Sequence, residues 1–267
     1  MPAKSKKFKK RILNCKPSQD TQKDWKIEHA RAAGLVSAPG VLPPKVDLRE
    51  SWWDVGDQED TGSCVGWAAA DGVLRYQFVK AGKLGKDDHL SARYLWMAAK
   101  ETDELTNYPT TFIDLDGTSL KAALDIARKF GAVTDDILPL SGALYKDNEQ
   151  TFYAIAAQRK ISSYFSLGLT VADWRLWLAT VGPILTRFDM DPAFDNAKTN
   201  PNLDTYTPYD SSSDRAGGHA VTIVGYTPDR FIIRNSWGTN TWGDKGFAYA
   251  SYAYAMAAYT EAYGVKL

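Results

Sequence analysis

From Val65 to Val79 the chain places Val65, Trp67, Ala68, Ala69, Val73, Leu74, Phe78 and Val79 over too much of a helical circumference for a surface helix. Such a helix is stable when it runs through the middle of a domain. The 267 residues are enough to bury a substantial core around it, as one domain or two. Ser63 is a good N-cap and makes Cys64 the expected first helical residue. A thiol there lies at the positive end of the helix dipole, which favours the thiolate, the form in which cysteine is a nucleophile.

The remaining periodicities divide the chain. Ser91 caps an expected helix over Ala92 to Lys100, and Asp116-Gly117-Thr118-Ser119 precedes another, Leu120 to Phe130, closed by Gly131. From Lys160 the pattern changes to short strands: Lys160–Phe165, Pro183–Phe188, Ala220–Tyr226, Phe231–Asn235 and Gly246–Tyr249, with one helix near Val171–Thr180. A helix-rich half followed by a strand-rich half implies an α+β fold of two subdomains. Asp189 to Gly217 is a long polar connection, of the kind that forms a lid or binding loop. It is expected to border the side of the site that takes the leaving group and to shape which leaving groups fit, the alternative being a solvated decoration away from it.

Residues 1–19 read as a flexible tail. Thr21 to Asp24 resembles a capping box, with Trp25, Ile27, Ala30 and Ala33 leading to a stop at Gly34. A Pro/Gly-rich linker follows over 35–45. The apolar side of that short helix has no partner in its own segment and must dock on the body, either across a cleft or behind it.

Two further segments supply chemistry. Gly217-Gly218-His219 opens an alternating run through Tyr226, which stations an imidazole at the start of a strand. Asn235 ends the apolar run from Phe231, within Asn235-Ser236-Trp237-Gly238 and ahead of Trp242-Gly243-Asp244-Lys245-Gly246. A thiol, an imidazole and a carboxamide form a nucleophile, base and orienter set. Alone, Cys64 would read as a small buried hydrophobe; the three segments together outweigh that. His29 and His89 lack such a context and are read as non-catalytic.

The segments Gln58-Glu59-Asp60-Thr61-Gly62-Ser63-Cys64-Val65-Gly66-Trp67-Ala68, Gly217 to Tyr226 and Ile232 to Gly238, in that order, resemble the papain-like cysteine peptidases, and Leu42 to Arg49 resembles the start of their mature domain. The resemblance covers roughly residues 42–250. It implies a helical half (about 42–159) and a β-barrel-like half (about 160–267) with the active-site cleft between them, and residues 1–41 as a short prosegment. It implies peptide hydrolysis by Cys64, with His219 as base and acid, Asn235 orienting His219, and Gln58 donating to the oxyanion. Gly117, Thr118 and Ser119 would line the non-primed side, Ala220 would border the pocket for the second residue before the cut, and Trp237 would cover the His–Asn hydrogen bond beside the substrate. No cofactor or metal is called for. Val65 stands where many members carry Trp, Gly218 where many carry Asp or Asn, and the crosslinking cysteines of secreted members are missing. The same acyl-enzyme could pass its acyl group to an amine, as a transpeptidase or ligase does, or the scaffold could serve as a silent binding protein.

Composition bounds the partners. Lys+Arg and Asp+Glu are 32 each, a formal net charge of +0, so no global field points to nucleic acid or membrane. Cys15 and Cys64 are the two cysteines, and one is needed as a free thiol, which excludes a disulfide framework and fits a reducing compartment. Only three apolar residues follow the basic stretch Lys4–Arg11, too few for a secretory signal. The expected setting is cytoplasmic, or reached by export without a cleaved apolar signal. The expected partners are a peptide or protein substrate and residues 1–41 in cis, inhibiting or bracing a monomer.

Overall fold

The computed structural model describes residues 11–37, 40–103, 117–143 and 145–267, without the side chains of 101–103. The expectations for Lys4–Lys10 and Asp116 lie outside the described residues.

The expected buried helix is present as a continuous rod. It starts as α2 (Cys64–Trp67), winds in π register over Ala68–Leu74 and resumes as α3 (Arg75–Lys80). The π stretch has a local cause. Thr222 donates its hydroxyl to the Ala68 carbonyl at 3.1 Å, and Gly72 leaves the room, since a Cβ there would lie 2.0 Å from Thr222 Oγ1. A side chain that takes a helical carbonyl interrupts the regular ladder at that turn. Around the rod pack α4 (Ala92–Asp103) and α5 (Leu120–Lys129), and α6 (Glu149–Ala156) flanks them. Ser91 and Ser119 cap α4 and α5 through Tyr94 N (2.9 Å) and Ala122 N (3.3 Å), as their positions predict. Ser63 holds the N-cap position of α2 but makes no cap hydrogen bond; its hydroxyl pairs with Thr61 Oγ1 at 2.6 Å.

The second half is one sheet. Its strands are β1 (Val46–Asp47), β2 (Ser163–Ser166), β3 (Ile184–Asp189), β4 (Asn202–Leu203), β5 (Gly218–Tyr226), β6 (Arg230–Arg234), β7 (Phe247–Ser251) and β8 (Tyr259–Lys266). The order is β2-β8-β3-β5-β6-β7-β4, with β1 paired to β5; every pairing is antiparallel except β4 with β7. The nine residues of β5 are all buried, because the rod covers one face while α7 (Val171–Thr180) and the aromatic core cover the other. Three short helices, α8 (Pro192–Asp195), α9 (Gly238–Thr241) and α10 (Tyr252–Ala258), finish the connections. β8 and α10 were not anticipated: Tyr252 to Tyr263 mixes Ala and Tyr without a clean period, and only pairing with β2 and β3 makes its end a strand.

The N-terminal segment is also ordered by the body. A 3-10 turn spans Thr21–Lys23 and the helix starts later than the sequence predicts, as α1 (Ile27–Ala32). His29 Nδ1 accepts the Lys26 N–H at 2.8 Å, so a His replaces the expected acid in the cap. Ile27 and Ala30 bury against the sheet-side core with Phe165 and Trp177, whereas Trp25 remains 58% exposed. Gly34 stops the helix with φ of 69°.

Candidate active site

Cys64 opens the rod and His219 is the second residue of β5, so two rigid elements carry the pair. The elements are tied together by Thr222 to Ala68 and by Arg234, the last residue of β6, whose guanidinium lies 2.5 Å from Asp71 of the rod. Asp71 also holds Arg75 at 3.1 Å. Burial opposes the charge on Asp71, yet Arg234, His89 and Arg75 hold its carboxyl well below the usual range. His89, 41% exposed, joins this ion cluster from its solvent side, 3.6 Å from Asp71.

Asn235 follows Arg234. Its Oδ1 accepts the Ser236 N–H and lies 2.8 Å from His219 Nε2. An oxygen in that position accepts, so Nε2 carries a proton and Nδ1 is the ring nitrogen left to exchange one with the thiol. Nδ1 is buried without an N or O partner, and the imidazole acts on the Cys64 thiol by hydrogen bond and by charge. His219 is boxed by aromatic rings: Trp237 at 4.9 Å, Phe194 of α8 at 5.7 Å and Phe188 of β3 at 5.8 Å between centroids. The Asp189–Gly217 connection thus reaches the imidazole through Phe194, whose carbonyl is held by Trp242 Nε1 at 2.7 Å.

Gln58 is fully buried next to the same strand end. Its backbone N–H donates to Ser236 O at 2.8 Å, and its Oε1 accepts from Ser236 Oγ (2.9 Å) and Trp237 Nε1 (3.2 Å). These bonds fix which end of the carboxamide is nitrogen: Nε2 donates one hydrogen to Thr61 O at 3.0 Å, in the loop leading to Cys64. Trp67 stands against Gly56, where a Cβ would meet the ring at 2.0 Å.

The remaining predicted residues meet an extended piece of the chain itself. Residues 11–18 lie along the seam between rod and sheet. Arg11 pairs with Asp57 at 2.6 Å with its guanidinium 5.8 Å from the Trp237 ring. Cys15 donates its N–H to Gly218 O (2.9 Å), its carbonyl accepts Arg187 Nε (3.0 Å), and Lys16 donates its N–H to Thr118 O (3.1 Å). Ser18 donates to Glu261 Oε1 (2.8 Å) and accepts the Lys121 N–H (3.2 Å). The approach is close because the walls lack side chains: a Cβ on Gly117, Gly217 or Gly218 would fall 1.8, 2.4 or 2.2 Å from the carbonyl oxygens of Asn14, Leu13 and Cys15. Ala220 is buried in the helical-side core with both cysteines, and Ser119 spends its hydroxyl on the α5 cap. Residues 11–18 are therefore not a free tail.

Cys15 brings its thiol to Cys64. The hydrogen bond from Cys15 is the foremost reason that the Cys64 thiol is held well below its usual range, against burial and with the help of His219 and the Ala220 backbone. Burial first, then the bond and charge of Cys64, push Cys15 well above its own. Cys64 is the member favoured as thiolate and Cys15 the member held as thiol. Cys15 and Arg187 carried no signal in the sequence beyond Cys15 being the second of two cysteines.

A family described as papain family cysteine protease matches residues 42–263. Among solved structures, xylellain, a cysteine protease from Xylella fastidiosa, is 21% identical over 98% of both chains with a TM-score of 0.75. Digestive procathepsin L2 proteinase from the larval midgut of Tenebrio molitor is 20% identical over 96% of this chain and 78% of that one, TM-score 0.71. ProCathepsin B S9 from Trypanosoma congolense is 15% identical over 96% and 86%, TM-score 0.67. No curated protein matches the sequence. At these identities the structures establish the fold, and the match over residues 42–263 establishes the family: this chain belongs to the papain family of cysteine proteases.

Proposed function

We propose that the protein hydrolyses peptide bonds through Cys64 and is held inactive by residues 11–18 of its own chain. The observation that carries the reading is His219 set between Cys64 and Asn235, with its Nδ1, buried without an N or O partner, left for the thiol. The Cys64 thiolate attacks the scissile carbonyl. Its own backbone N–H and the second hydrogen of Gln58 Nε2 receive the oxyanion. His219, protonated at Nδ1 by the thiol, gives that proton to the leaving amine; it then takes one from the water that attacks the acyl-enzyme. Asn235 holds the ring in plane throughout, and the aromatic box keeps water from that bond. Substrate would replace residues 13–18 along Gly117, Thr118 and Gly218, taking over the backbone groups now given to Cys15 and Lys16. The small side of Ala220 leaves room for an apolar side chain before the cut.

The covering segment resists cleavage for a stereochemical reason. What meets the nucleophile is a side-chain thiol, and the carbonyl of that same Cys15 is held by Arg187 rather than by Gln58. Full-length protein and residues 42–267 are compared on a library of fluorogenic peptides, with product identity read by mass. Hydrolysis that appears on truncation and vanishes in Cys64→Ala supports the proposal. A truncated, folded protein that leaves every peptide uncut, or transfers the acyl group to added amine in preference to water, overturns it.

A further inference from the structure

The two cysteines of the chain are 49 positions apart in sequence, yet both are buried in one cluster, with Cys15 hydrogen-bonded to Gly218 beside the His219 that acts on Cys64, and each thiol acts on the other. Cys15 is held there by three independent backbone contacts: its N–H on Gly218, its carbonyl on Arg187, and its neighbour Lys16 on Thr118. A residue serving only to fill the seam needs no sulfur; a second thiol facing a nucleophilic thiolate is the arrangement of an attacking and a resolving cysteine.

We propose that Cys15 and Cys64 form a reversible intrachain disulfide on exposure to a hydroperoxide, locking residues 11–18 over the nucleophile and sparing Cys64 from irreversible oxidation. The Cys64 thiolate attacks the terminal oxygen of the hydroperoxide and becomes the sulfenic acid while the O–O bond breaks, and the alkoxide or hydroxide that leaves takes a proton from water. The Cys15 sulfur attacks the sulfenic sulfur, the S–O bond breaks, and the departing hydroxide takes the Cys15 proton as water. Sulfur has lost two electrons in all, which the peroxide has gained. A dithiol reverses the step by exchange at the disulfide, restoring both thiols. Closure is favoured because the partners are already positioned, so no loop has to be ordered for it. The oxidant reaches Cys64 when the segment lifts transiently, and re-docking delivers Cys15. This extends the reading of Cys64 as nucleophile, but the crosslink itself is detectable whether or not the protein cleaves peptides.

The full chain, reduced and freed of reductant, is treated with a slight molar excess of hydrogen peroxide, quenched with iodoacetamide and analysed by intact mass and tryptic mapping. The proposal expects a loss of two hydrogen masses and a linked pair joining the peptide of Cys15 (12–23) to that of Cys64 (50–75). It also expects dithiothreitol to restore both peptides as free thiols. In Cys15→Ser the same treatment should put sulfinic acid on Cys64, and the fraction returned to thiol by dithiothreitol should fall about tenfold, since that state is not reversed by thiols. Sulfinic acid on Cys64 of the unsubstituted chain at the same dose, with Cys15 alkylated or joined to another molecule, would overturn it. So would equal recovery in Cys15→Ser.

Discussion

At Cys64 the decisive matter is what else the thiol touches. Cys64→Ala should abolish turnover with the melting temperature nearly unchanged, because a small group at a helix start is removed where packing is on its neighbours; peptide hydrolysis by the 42–267 form is the check. Gln58→Ala should lower kcat by about 100- to 1,000-fold, the usual effect of removing one oxyanion donor, with KM little changed. A loss expressed mainly in KM would make Gln58 a binding residue. The pH dependence has a defined sign. The bond from Cys15 is the largest cause lowering the Cys64 pKa, so Cys15→Ala removes it, while His219 still acts in the same direction. Thiolate absorbance of full-length Cys15→Ala should therefore rise at higher pH than in the parent protein. An inflexion at the same or lower pH would show that the Cys15 bond is not the cause.

At the scale of elements, the active site is two walls fastened by few ties, and the ties were not legible in advance. The rod was expected from its apolar width, and its first residue from Ser63; its π stretch was not, because the cause is Thr222, more than 140 positions away in sequence. Asp71 likewise reads as an acid in an apolar pattern until Arg234 reaches it from β6. Asp71→Asn should cost about 3–5 kcal/mol, since it leaves Arg234 buried without its counter-charge, while Arg75 keeps Asp54 at 2.8 Å. The sign of the pH effect follows from the lowered pKa: the stabilisation is fully present above the unfolded carboxyl value of about 4 and is lost as pH falls toward the folded one. The gap in melting temperature between Asp71→Asn and the parent should narrow below about pH 4. A constant gap would mean that packing, not charge, sets it. The Asp189–Gly217 connection was legible as a loop at the site; that it contributes Phe194 to the His219 box was not, because an isolated Phe in a polar loop has no period to read.

At the scale of the molecule, the N-terminal segment meets the body with two pieces. Residues 11–18 cover the nucleophile, while α1 is docked on the sheet side by Ile27 and Ala30, with Val36 beyond it in the same core. In the reading proposed above, blocking and bracing, which the sequence presented as alternatives, are adjacent roles of one segment. Removing residues 1–41 should therefore raise activity and lower the melting temperature together. Each large aliphatic side chain so exposed costs about 1.5–3 kcal/mol, and about 1 kcal/mol moves the midpoint of a chain this size by roughly 2–4 °C. Hydrolysis rate and calorimetry on the two forms decide it. A stable truncated protein with unchanged rate would refute both roles.

The sequence by itself determined the class of fold, the order of helical and strand-rich halves, and the candidates for the reacting groups. Apolar period and cap chemistry act over a few residues and can be read along the chain, as at Ser91, Ser119 and Val171–Thr180. The motifs around Cys64, His219 and Asn235 are local in the same sense. Only the tertiary structure decided what surrounds them: that Cys15 lies against Cys64, that Arg187 holds the Cys15 carbonyl, and that Asp71 joins rod to sheet. Those contacts join residues 49 to 172 positions apart, and no periodicity reports a pairing whose energy exists only once two distant elements have packed.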